Sequence, residues 1–309
     1  MKYLIIGAGA TGCSIGGFLI STNKDVTFIS RGENLEQMKK NGLKLKTGMK
    51  GEMHLHKVNI MSQDEYIERA DVIFICVKSY SLDDIIPFIN KASHENSIII
   101  PIMNGYNIGA KIVDAINFGQ VLEGCIYISA FIEEPGVVVQ LGNIFRIVFG
   151  TKNGNFANAD KVTAIKNDLI DSGIKAIISD DIVRDTFKKF TFVSACASCG
   201  AYYDIQAKEM QKEGNYRETF IALCEELKQI GERLKLGIDT DITETNLKIL
   251  DALTPEATAS LQKDIKKGGK TEIEGLIFDV VRIGENIGVN TPNYNMIAEY
   301  FGYKKKDKR

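Results

Sequence analysis

The chain has 309 residues, of which 44% are hydrophobic and 25% charged, and its formal net charge is −2. This length accommodates about two domains, and a near-neutral charge excludes a general electrostatic attraction to nucleic acid or to a membrane surface. No stretch holds the roughly 18 apolar residues of a membrane span, and no signal peptide is recognisable. The basic run KKKDKR that ends the chain is typical of a solvated tail.

The first half of the chain alternates short apolar segments with helical ones. Strands are predicted at KYLIIGA, DVTFIS, DVIFICVK and SIIIPIMNG, and the last two are typical of parallel strands buried on both faces. Helices are predicted at TGCSIGGFLIST and ENLEQMKKNG and over residues 80–91 and 106–117. The segments LKLKT and EMHLHKV alternate in polarity and predict a half-exposed hairpin. This order of elements indicates a doubly wound sheet.

The pattern changes after residue 120. The segments VLEGCIYISAF, GVVVQL and IFRIVFG predict an antiparallel extension of the sheet, and a helix over 157–172 and the strand KAIIS follow. Apolar residues at a spacing of three to four then predict helices over 182–203, 216–236, 244–253 and 272–288, with a last helix starting at Thr291-Pro292. The predicted fold class is α/β: an N-terminal Rossmann-type doubly wound sheet (residues 1–180) and a C-terminal all-helical domain (residues 181–309), hinged at a crevice.

GAGATG at residues 7–12 fits the pattern G-x-G-x-x-G. It follows the first predicted strand and opens the first helix, which is the context that supports a dinucleotide-binding loop. The first glycine makes a tight turn, the second lets the backbone approach a pyrophosphate, and the third lets helix and strand pack closely. The predicted cofactor-binding residues of this loop are Gly7, Ala8, Gly9, Ala10, Thr11 and Gly12.

The end of the second strand departs from the usual NAD-binding pattern. Such chains place Asp or Glu there to bond the ribose 2′-hydroxyl, whereas this strand ends in Ser30 and Arg31. A hydroxyl and a guanidinium suit a 2′-phosphate, so the sequence predicts NADP(H) with Arg31 as a binding residue. Glu33 could still reach the ribose if the loop folds back, and a solvated surface arginine is the alternative.

Two further strand ends offer polar side chains at the predicted crevice. Lys78 follows DVIFICV and Asn104 follows IPIM, and the carboxyl ends of parallel strands face the cofactor. Lys78 is expected either to meet the cofactor or to cap the strand at the surface. Asn104 offers an amide donor and acceptor beside the nicotinamide and the substrate.

The six cysteines are scattered along the chain. Cys13 and Cys76 lie in apolar or glycine-rich segments and are interpreted as small buried hydrophobic residues in a reducing cytoplasm. Cys196 and Cys199 form a CxxC, for which a redox or zinc role is the alternative. Their segment is typical of a buried helix and no second Cys or His pair accompanies it. Structural cysteines and no metal site are therefore predicted.

Taken together, these motifs resemble the 2-dehydropantoate 2-reductase (ketopantoate reductase) family. The glycine loop, the arginine, strand-Val-Lys and strand-Asn-Gly are followed in the family's order by EEPGVVVQLG, TFKKF, SLQKDIKKGGKTEIEGL and GVNTPNYN. The resemblance spans nearly the whole chain. It implies NADPH-dependent reduction of a small 2-oxo acid, by default ketopantoate to pantoate in pantothenate and coenzyme A biosynthesis. It implies neither nucleic acid nor membrane as a partner and leaves a homodimer open.

The resemblance also implies roles for single residues. In the cofactor site, the glycine loop would bind the pyrophosphate, Arg31 the 2′-phosphate, and Lys78 the cofactor. Asn104 would lie between cofactor and substrate, and the backbone of Ala130 would touch the nicotinamide. Three residues of the second domain complete the site: the catalytic lysine at Lys189, a serine that binds the substrate carboxylate at Ser260, and the active-site glutamate near the nicotinamide at Glu272.

The chemistry of the reaction supports a lysine independently. Hydride transfer to a 2-oxo acid builds an alkoxide that needs a proton, and a lysine can polarise the carbonyl and then donate that proton. The histidines lie in polar segments of the first domain, at His54, His56 and His94. Lys188 is the neighbouring alternative, because Phe187 and Phe190 flank both lysines. Only one of two adjacent helical residues can face the substrate, and the choice of Lys189 depends on the resemblance.

The chain departs from the family pattern beside this lysine. Two asparagines that contact the 4-hydroxyl of pantoate are replaced by Val193 and Ala197, and a third, in the loop after the helix, has no clear counterpart. Ser194 and Ser198 could take over only if the helix rotates slightly. A different small 2-oxo acid is therefore an alternative substrate. A non-catalytic NADP(H)-binding sensor is a further alternative, against which the retained lysine, serine and glutamate argue.

Overall fold

The structure is a computed structural model that describes residues 1–238 and 240–304. Residues 305–309 of the predicted basic tail lie outside the described residues. The chain divides into two units, the first formed by Met1–Met103 and Asn107–Ile182 and the second by Asn104–Tyr106 and the described residues from Val183 onward. The predicted boundary after residue 180 falls two residues before Ile182.

The first unit contains a parallel sheet and a smaller mixed sheet. Its strands are β1 (Lys2–Ile6), β2 (Asp25–Ile29), β3 (Leu43–Thr47), β4 (Gly51–Leu55), β5 (Asn59–Met61), β6 (Val72–Ile75), β7 (Ile98–Pro101), β8 (Gln120–Val121), β9 (Glu123–Glu134), β10 (Val137–Gly150) and β11 (Lys175–Ile178). Its helices are α1 (Ala10–Ile20), α2 (Gly32–Asn41), α3 (Leu82–Ala92), α4 (Ile108–Ile112) and α5 (Ala159–Asp171).

The parallel sheet has six strands in the order β5-β2-β1-β6-β7-β8. The chain therefore runs outward in one direction from β1 to β2 and in the other from β1 to β6, which is the topological switch of a dinucleotide-binding fold. Tyr3 and Ile5 enter the core on one face of β1, and Leu4 and Ile6 enter a second core on the other face. Burial on both faces explains the near-continuous apolar strands, and the predicted doubly wound sheet is confirmed.

The antiparallel strands predicted after residue 120 are confirmed as β9 and β10, but apart from Val121 in β8 they do not extend this sheet. They join the β3–β4 hairpin in a second sheet of order β11-β10-β3-β4, with β9 also paired to β10. The reason is that β10 is long enough to pair with several strands at once. It pairs antiparallel with β9 along most of the length of β10. Along β10, Val137–Gln140 pair in parallel with β3, and Arg146–Phe149 pair in parallel with β11. The hairpin of β3 and β4 is confirmed.

The helix predicted over 106–117 is also wrong in extent. Only Ile108–Ile112 is α-helical, followed by a 3₁₀ turn at Val113–Ala115. Asn107 adopts a left-handed backbone conformation with φ 58°. A residue in this conformation does not fit inside an α-helix, so the helix begins only after Asn107. Residues Asn104–Tyr106 before it belong to the other unit, so contacts distant in sequence decide the conformation of this segment.

The second unit is helical, as predicted. Its helices are α6 (Ile182–Tyr203), α7 (Ala207–Met210), α8 (Asn215–Arg233), α9 (Ile242–Asp251), α10 (Ser260–Lys267), α11 (Asp279–Ile287) and α12 (Pro292–Tyr300). Its core includes the fully buried side chains of Phe187, Phe220 and Leu227. The predicted helix over 272–288 begins with a π-helical turn at Glu274–Phe278, which the apolar spacing did not indicate. In the described part of the chain, no helix is long and apolar enough to cross a membrane.

Candidate active site

The glycine loop has the backbone geometry that its sequence predicts. Gly7 adopts φ +102°, and a β-carbon there would lie 2.8 Å from the Cys76 carbonyl oxygen. A β-carbon at Gly12 would lie 2.1 Å from the Gly7 carbonyl oxygen, so only glycine lets α1 pack this closely on β1. A β-carbon at Gly9 would meet no described atom within 4 Å. The loop is thus closed on the protein side and open at Gly9, which fits the approach of a pyrophosphate.

The N-terminus of α1 faces this open side. Gly9 is its N-cap residue, and no described side chain caps it by a hydrogen bond. Backbone N–H groups and the positive end of the helix dipole at such a terminus suit an anion. Asn34, which the sequence analysis missed, braces the loop: its amide donates to the Ala8 carbonyl, and its oxygen accepts from Gly136 N at 2.8 Å. A lone amide in the first turn of α2 gave no distinctive signal.

The other predicted cofactor residues of the first unit lie at strand ends or on β9. Arg31 follows β2 and is exposed at the N-cap of α2. Lys78 follows β6, the strand that pairs with β1, so it lies at the same edge of the sheet as the glycine loop. Ala130 pairs with Gln140 in the second sheet and is partly buried. Arg31, Lys78 and the open side of the glycine loop fit a phosphorylated dinucleotide, which remains a prediction.

In the second unit, Lys189 and Asn104 form a polar pair. The Lys189 Nζ donates a hydrogen bond to the Asn104 Oδ1 at 3.2 Å. Lys189 lies in the second turn of α6, and Asn104 follows β7 in the chain. Two of the predicted site residues are therefore in direct contact. The choice of Lys189 rather than Lys188 as the catalytic lysine stays a prediction.

Tyr106 anchors the Asn104 segment and was also missed. Its ring lies edge-on to Phe187 at a centroid distance of 5.1 Å and packs on Phe190 at 6.1 Å. Both phenylalanines are buried and flank Lys189 on α6. The aromatic contacts hold the backbone of Asn104–Tyr106 against the helix that carries the lysine. An aromatic residue two positions after Asn104 was the only signal in the sequence.

Glu272 and Ser260 each lie at the start of a helix. Glu272 is 2% exposed, and its carbonyl accepts a hydrogen bond from Leu276 N at 3.0 Å. Its position at the start of a helix agrees with the sequence prediction. Ser260 is the exposed first residue of α10. The side chain of Gln262 fixes this end by accepting from Ala259 N at 2.9 Å and donating to Ile205 O at 2.8 Å.

The serines next to Val193 and Ala197 point away from the face of Lys189. Ser194 and Ser198 are both fully buried. The Ser194 hydroxyl donates to the Leu276 carbonyl at 2.6 Å and lies 2.7 Å from the Tyr294 hydroxyl. The suggestion that they replace the missing asparagines is therefore not supported, because Ser194 is already engaged in the core.

Cys196 and Cys199 lie on α6, on the buried helix that the sequence predicted. Burial raises the pKa of each thiol to about 12, which disfavours the reactive thiolate. Among the described residues, no group of three or more His, Cys, Asp or Glu side chains could hold a metal ion.

Comparison with protein-family models gives two matches. Residues 3–154 match the model described as Ketopantoate reductase PanE/ApbA, and residues 181–304 match Ketopantoate reductase PanE/ApbA C terminal. Together they cover most of the chain.

Several known proteins are similar over almost their full length. An uncharacterized oxidoreductase, YkpB, of Bacillus subtilis (strain 168) is 28% identical over 299 residues, which cover 94% of this chain and 95% of that protein. The 2-dehydropantoate 2-reductase of Aquifex aeolicus (strain VF5) is 24% identical over 303 residues, covering 97% and 95%.

Two solved structures share the fold. D-mandelate dehydrogenase, in a ternary structure with NADH and anilino(oxo)acetate, gives a TM-score of 0.85 at 21% identity, covering 97% of this chain and 96% of that chain. The dimeric ketopantoate reductase of Staphylococcus aureus gives a TM-score of 0.82 at 20% identity, covering 97% of each chain. At these identities the likeness shows the fold alone.

Proposed function

Because the chain belongs to the ketopantoate reductase PanE/ApbA family of 2-oxo acid reductases, we propose that it reduces 2-dehydropantoate to pantoate with NADPH, as in pantothenate biosynthesis. The observation that carries the proposal is the hydrogen bond between the Lys189 Nζ and the Asn104 Oδ1. This bond joins the lysine proposed as proton donor to the amide that the sequence predicted beside the nicotinamide and the substrate.

Lys189 supplies charge and a proton. An ammonium group has three N–H donors, and Asn104 accepts from one of them, which orients the others for the substrate. The positive charge polarises the substrate carbonyl, and the alkoxide that forms takes its proton from Nζ. The side chain is half-buried on α6 beside Phe190, so water screens its charge less than at an exposed site.

Glu272 and Ser260 support this lysine in the proposal. The buried carboxylate of Glu272 would orient the ammonium group. Ser260, at the N-terminus of α10, would bind the substrate carboxylate through its hydroxyl and the positive end of the helix dipole. Both positions come from the family resemblance. The burial of Glu272 and the helix-terminal placement of both residues are consistent with these roles.

The cofactor in this proposal is NADP(H), whose reduced nicotinamide supplies the hydride. Gly9 leaves room for the pyrophosphate at the uncapped N-terminus of α1. Arg31, exposed after β2, suits a 2′-phosphate better than the carboxylate of NAD-binding chains. The structure of D-mandelate dehydrogenase contains NADH, so cofactor choice in this fold requires a direct measurement.

A second candidate substrate is a 2-oxo acid with an apolar side chain. Val193 and Ala197 follow Lys189 by one and two helical turns and offer no hydrogen bond to a substrate hydroxyl. Ser194 is engaged with Leu276 and Tyr294. This face of α6 therefore favours an aliphatic group over the 4-hydroxyl of ketopantoate.

One kinetic experiment tests both candidates. NADPH oxidation is followed at saturating cofactor with 2-dehydropantoate and with matched 2-oxo acids that lack the 4-hydroxyl. The proposal requires kcat/KM for 2-dehydropantoate to be at least equal to that of the others, whereas a clear preference for the hydroxyl-free acids would support the second candidate. Tight NADPH binding without turnover of any acid would refute both in favour of a sensor.

The dimeric state of the Staphylococcus aureus enzyme suggests a homodimer for this chain as well. Light scattering of the purified protein measures its mass directly, and a monomer over the micromolar range would refute this part of the proposal.

A further inference from the structure

The turn that follows Glu272 is π-helical. It spans Glu274–Phe278 and passes directly into α11. π-helical turns are rare and are frequently found at functional sites. Such a turn departs from the regular hydrogen-bond pattern of an α-helix, so it depends on contacts from the surrounding structure.

Leu276 connects this turn to two other residues through its backbone. Its N–H donates to the Glu272 carbonyl at 3.0 Å, and its carbonyl accepts from the Ser194 hydroxyl at 2.6 Å. Ser194 is fully buried on α6. The N–H and the carbonyl of Leu276 therefore connect the backbone of Glu272 to the helix that carries Lys189.

The proton positions in this network follow from the number of donors. Ser194 has a single hydroxyl proton and gives it to the Leu276 carbonyl. The Tyr294 hydroxyl, 2.7 Å away, must then be the donor to Ser194. Burial raises the pKa of Tyr294 well above its ordinary value, so the phenol keeps that proton. The chain of donors runs from Tyr294 through Ser194 to the π turn.

The far end of this chain is fixed by a buried carboxylate. Glu226 on α8 accepts from Asn293 N at 2.7 Å, from the Asn293 side-chain amide at 2.7 Å and from Tyr294 N at 3.0 Å. It is 4% exposed. The N-terminus of α12, and with it Tyr294, is thus held rigidly within the second unit.

We infer that Ser194 and Tyr294 are positioning residues whose hydroxyls hold the π turn and thereby fix Glu272 relative to Lys189. α6 carries both Lys189 and Ser194, five residues apart. The same helix therefore sets the position of the lysine directly and that of the glutamate through Leu276. The structural part of this inference is independent of the reaction, and its catalytic part rests on the proposed reductase function.

Hydrogen exchange tests the structural part without any substrate. Ser194→Ala and Tyr294→Phe should each speed the exchange of backbone amides in 273–280 by about tenfold, as expected for the loss of one buried hydrogen bond. Exchange in α8 should stay unchanged. Thr191→Val is the matched control, because Thr191 is also buried on α6 but its hydroxyl donates to Lys188 O and accepts from the Asn246 amide instead of contacting the π turn. Unchanged exchange in 273–280 would overturn the inference.

Kinetics of the same variants test the catalytic part. Ser194→Ala and Tyr294→Phe should lower kcat by about 10- to 100-fold, the effect of a small misplacement of a catalytic group, with NADPH affinity kept. In a Glu272→Gln background, Ser194→Ala should lower kcat no further, because residues that act through one another are non-additive.

An equal loss in both backgrounds would show that the hydroxyls act elsewhere and would overturn the inference. A wild-type protein that reduces no 2-oxo acid would refute the proposed function instead. The exchange measurement would then still decide whether the hydroxyls hold the π turn.

Discussion

Replacing Lys189 by methionine removes the ammonium group and leaves a side chain of similar length. Lys189 is half-buried and donates a hydrogen bond to Asn104, and methionine keeps the apolar part of the side chain, so methionine should be tolerated by the fold. A melting temperature within about 3 °C of the wild type is expected for a substitution that keeps the length and the apolar part of the side chain. Any large kinetic effect can then be assigned to the charge and the proton.

The size of that effect follows from the two tasks of the group. General acid catalysis contributes about 10²–10⁴-fold, and removal of one electrostatic donor at a developing oxyanion costs about 10²–10³-fold. Both effects act on the same substrate oxygen, so their contributions to the rate are not multiplied. The expected loss in kcat is about 10³–10⁴-fold, equivalent to about 4–5.5 kcal/mol at 1.36 kcal/mol per decade.

The assay is NADPH oxidation with the best 2-oxo acid, together with a separate fluorescence titration of NADPH. The dissociation constant for NADPH should be unchanged, because the glycine loop and Arg31 belong to the other unit. Lys188→Met is the matched control and should keep kcat within a few-fold. Near-normal kcat in Lys189→Met, with a collapse in Lys188→Met, would refute the assignment of the catalytic lysine.

The remaining predictions concern the cofactor, the core and the cysteines. Arg31→Ala should weaken NADPH binding by about 10- to 100-fold and leave NADH nearly unchanged, and equal losses for both cofactors in a titration would contradict the 2′-phosphate contact. Glu226→Ala should lower the free energy of unfolding in urea by about 2–4 kcal/mol, because buried donors lose their acceptor. The exposed Glu232→Ala on the same helix should change it by less than about 0.5 kcal/mol, and similar values for the two would contradict the anchoring role. Replacing Cys196 and Cys199 together by alanine should keep kcat within a few-fold, and stoichiometric metal or activity controlled by thiol oxidation would show that they are functional.

The parts of the fold that sequence predicted best depend on local signals. The strands β1, β2, β6 and β7 are nearly continuous apolar segments, because both of their faces are buried. The glycine loop is recognisable because steric contacts at Gly7 and Gly12 exclude any side chain. In both cases the physical constraint acts on residues that are close in the chain, so the sequence shows it as a recognisable pattern.

The errors arose where distant contacts decide the structure. Asn104–Tyr106 is held by Phe187 and Phe190 on α6, more than eighty residues away in the chain, and this shortens the predicted helix at α4. The π turn after Glu272 similarly depends on Ser194, which lies 82 residues away from Leu276. Periodicity alone cannot reveal either contact, because each segment has the apolar spacing of an ordinary helix.

In the proposed function, the orientation of the side chains on α6 decides which group of the substrate this helix can bind. A helix turns by about 100° per residue, so Ser194 and Ser198 lie about 100° from Val193 and Ala197. For Ser194 to reach the substrate, α6 would have to rotate by that angle and break the bonds to Leu276 and Tyr294. The cost would include an unsatisfied carbonyl in the core, so this rotation is disfavoured.

A 4-hydroxyl on the substrate therefore finds no partner on this face of α6. Strong discrimination for a substrate hydroxyl requires protein groups that are left unpaired when the hydroxyl is missing. Val193 and Ala197 provide none, so kcat/KM for 2-dehydropantoate and for its analogue without the 4-hydroxyl should differ by less than about tenfold. Val193→Asn should shift that ratio toward 2-dehydropantoate, because it restores an amide one turn after Lys189. Dedicated hydrogen bonds to a substrate hydroxyl give a preference in kcat/KM of about 10⁴-fold or more. Such a preference of the wild type for the hydroxylated acid would mean that residues outside α6 recognise the hydroxyl.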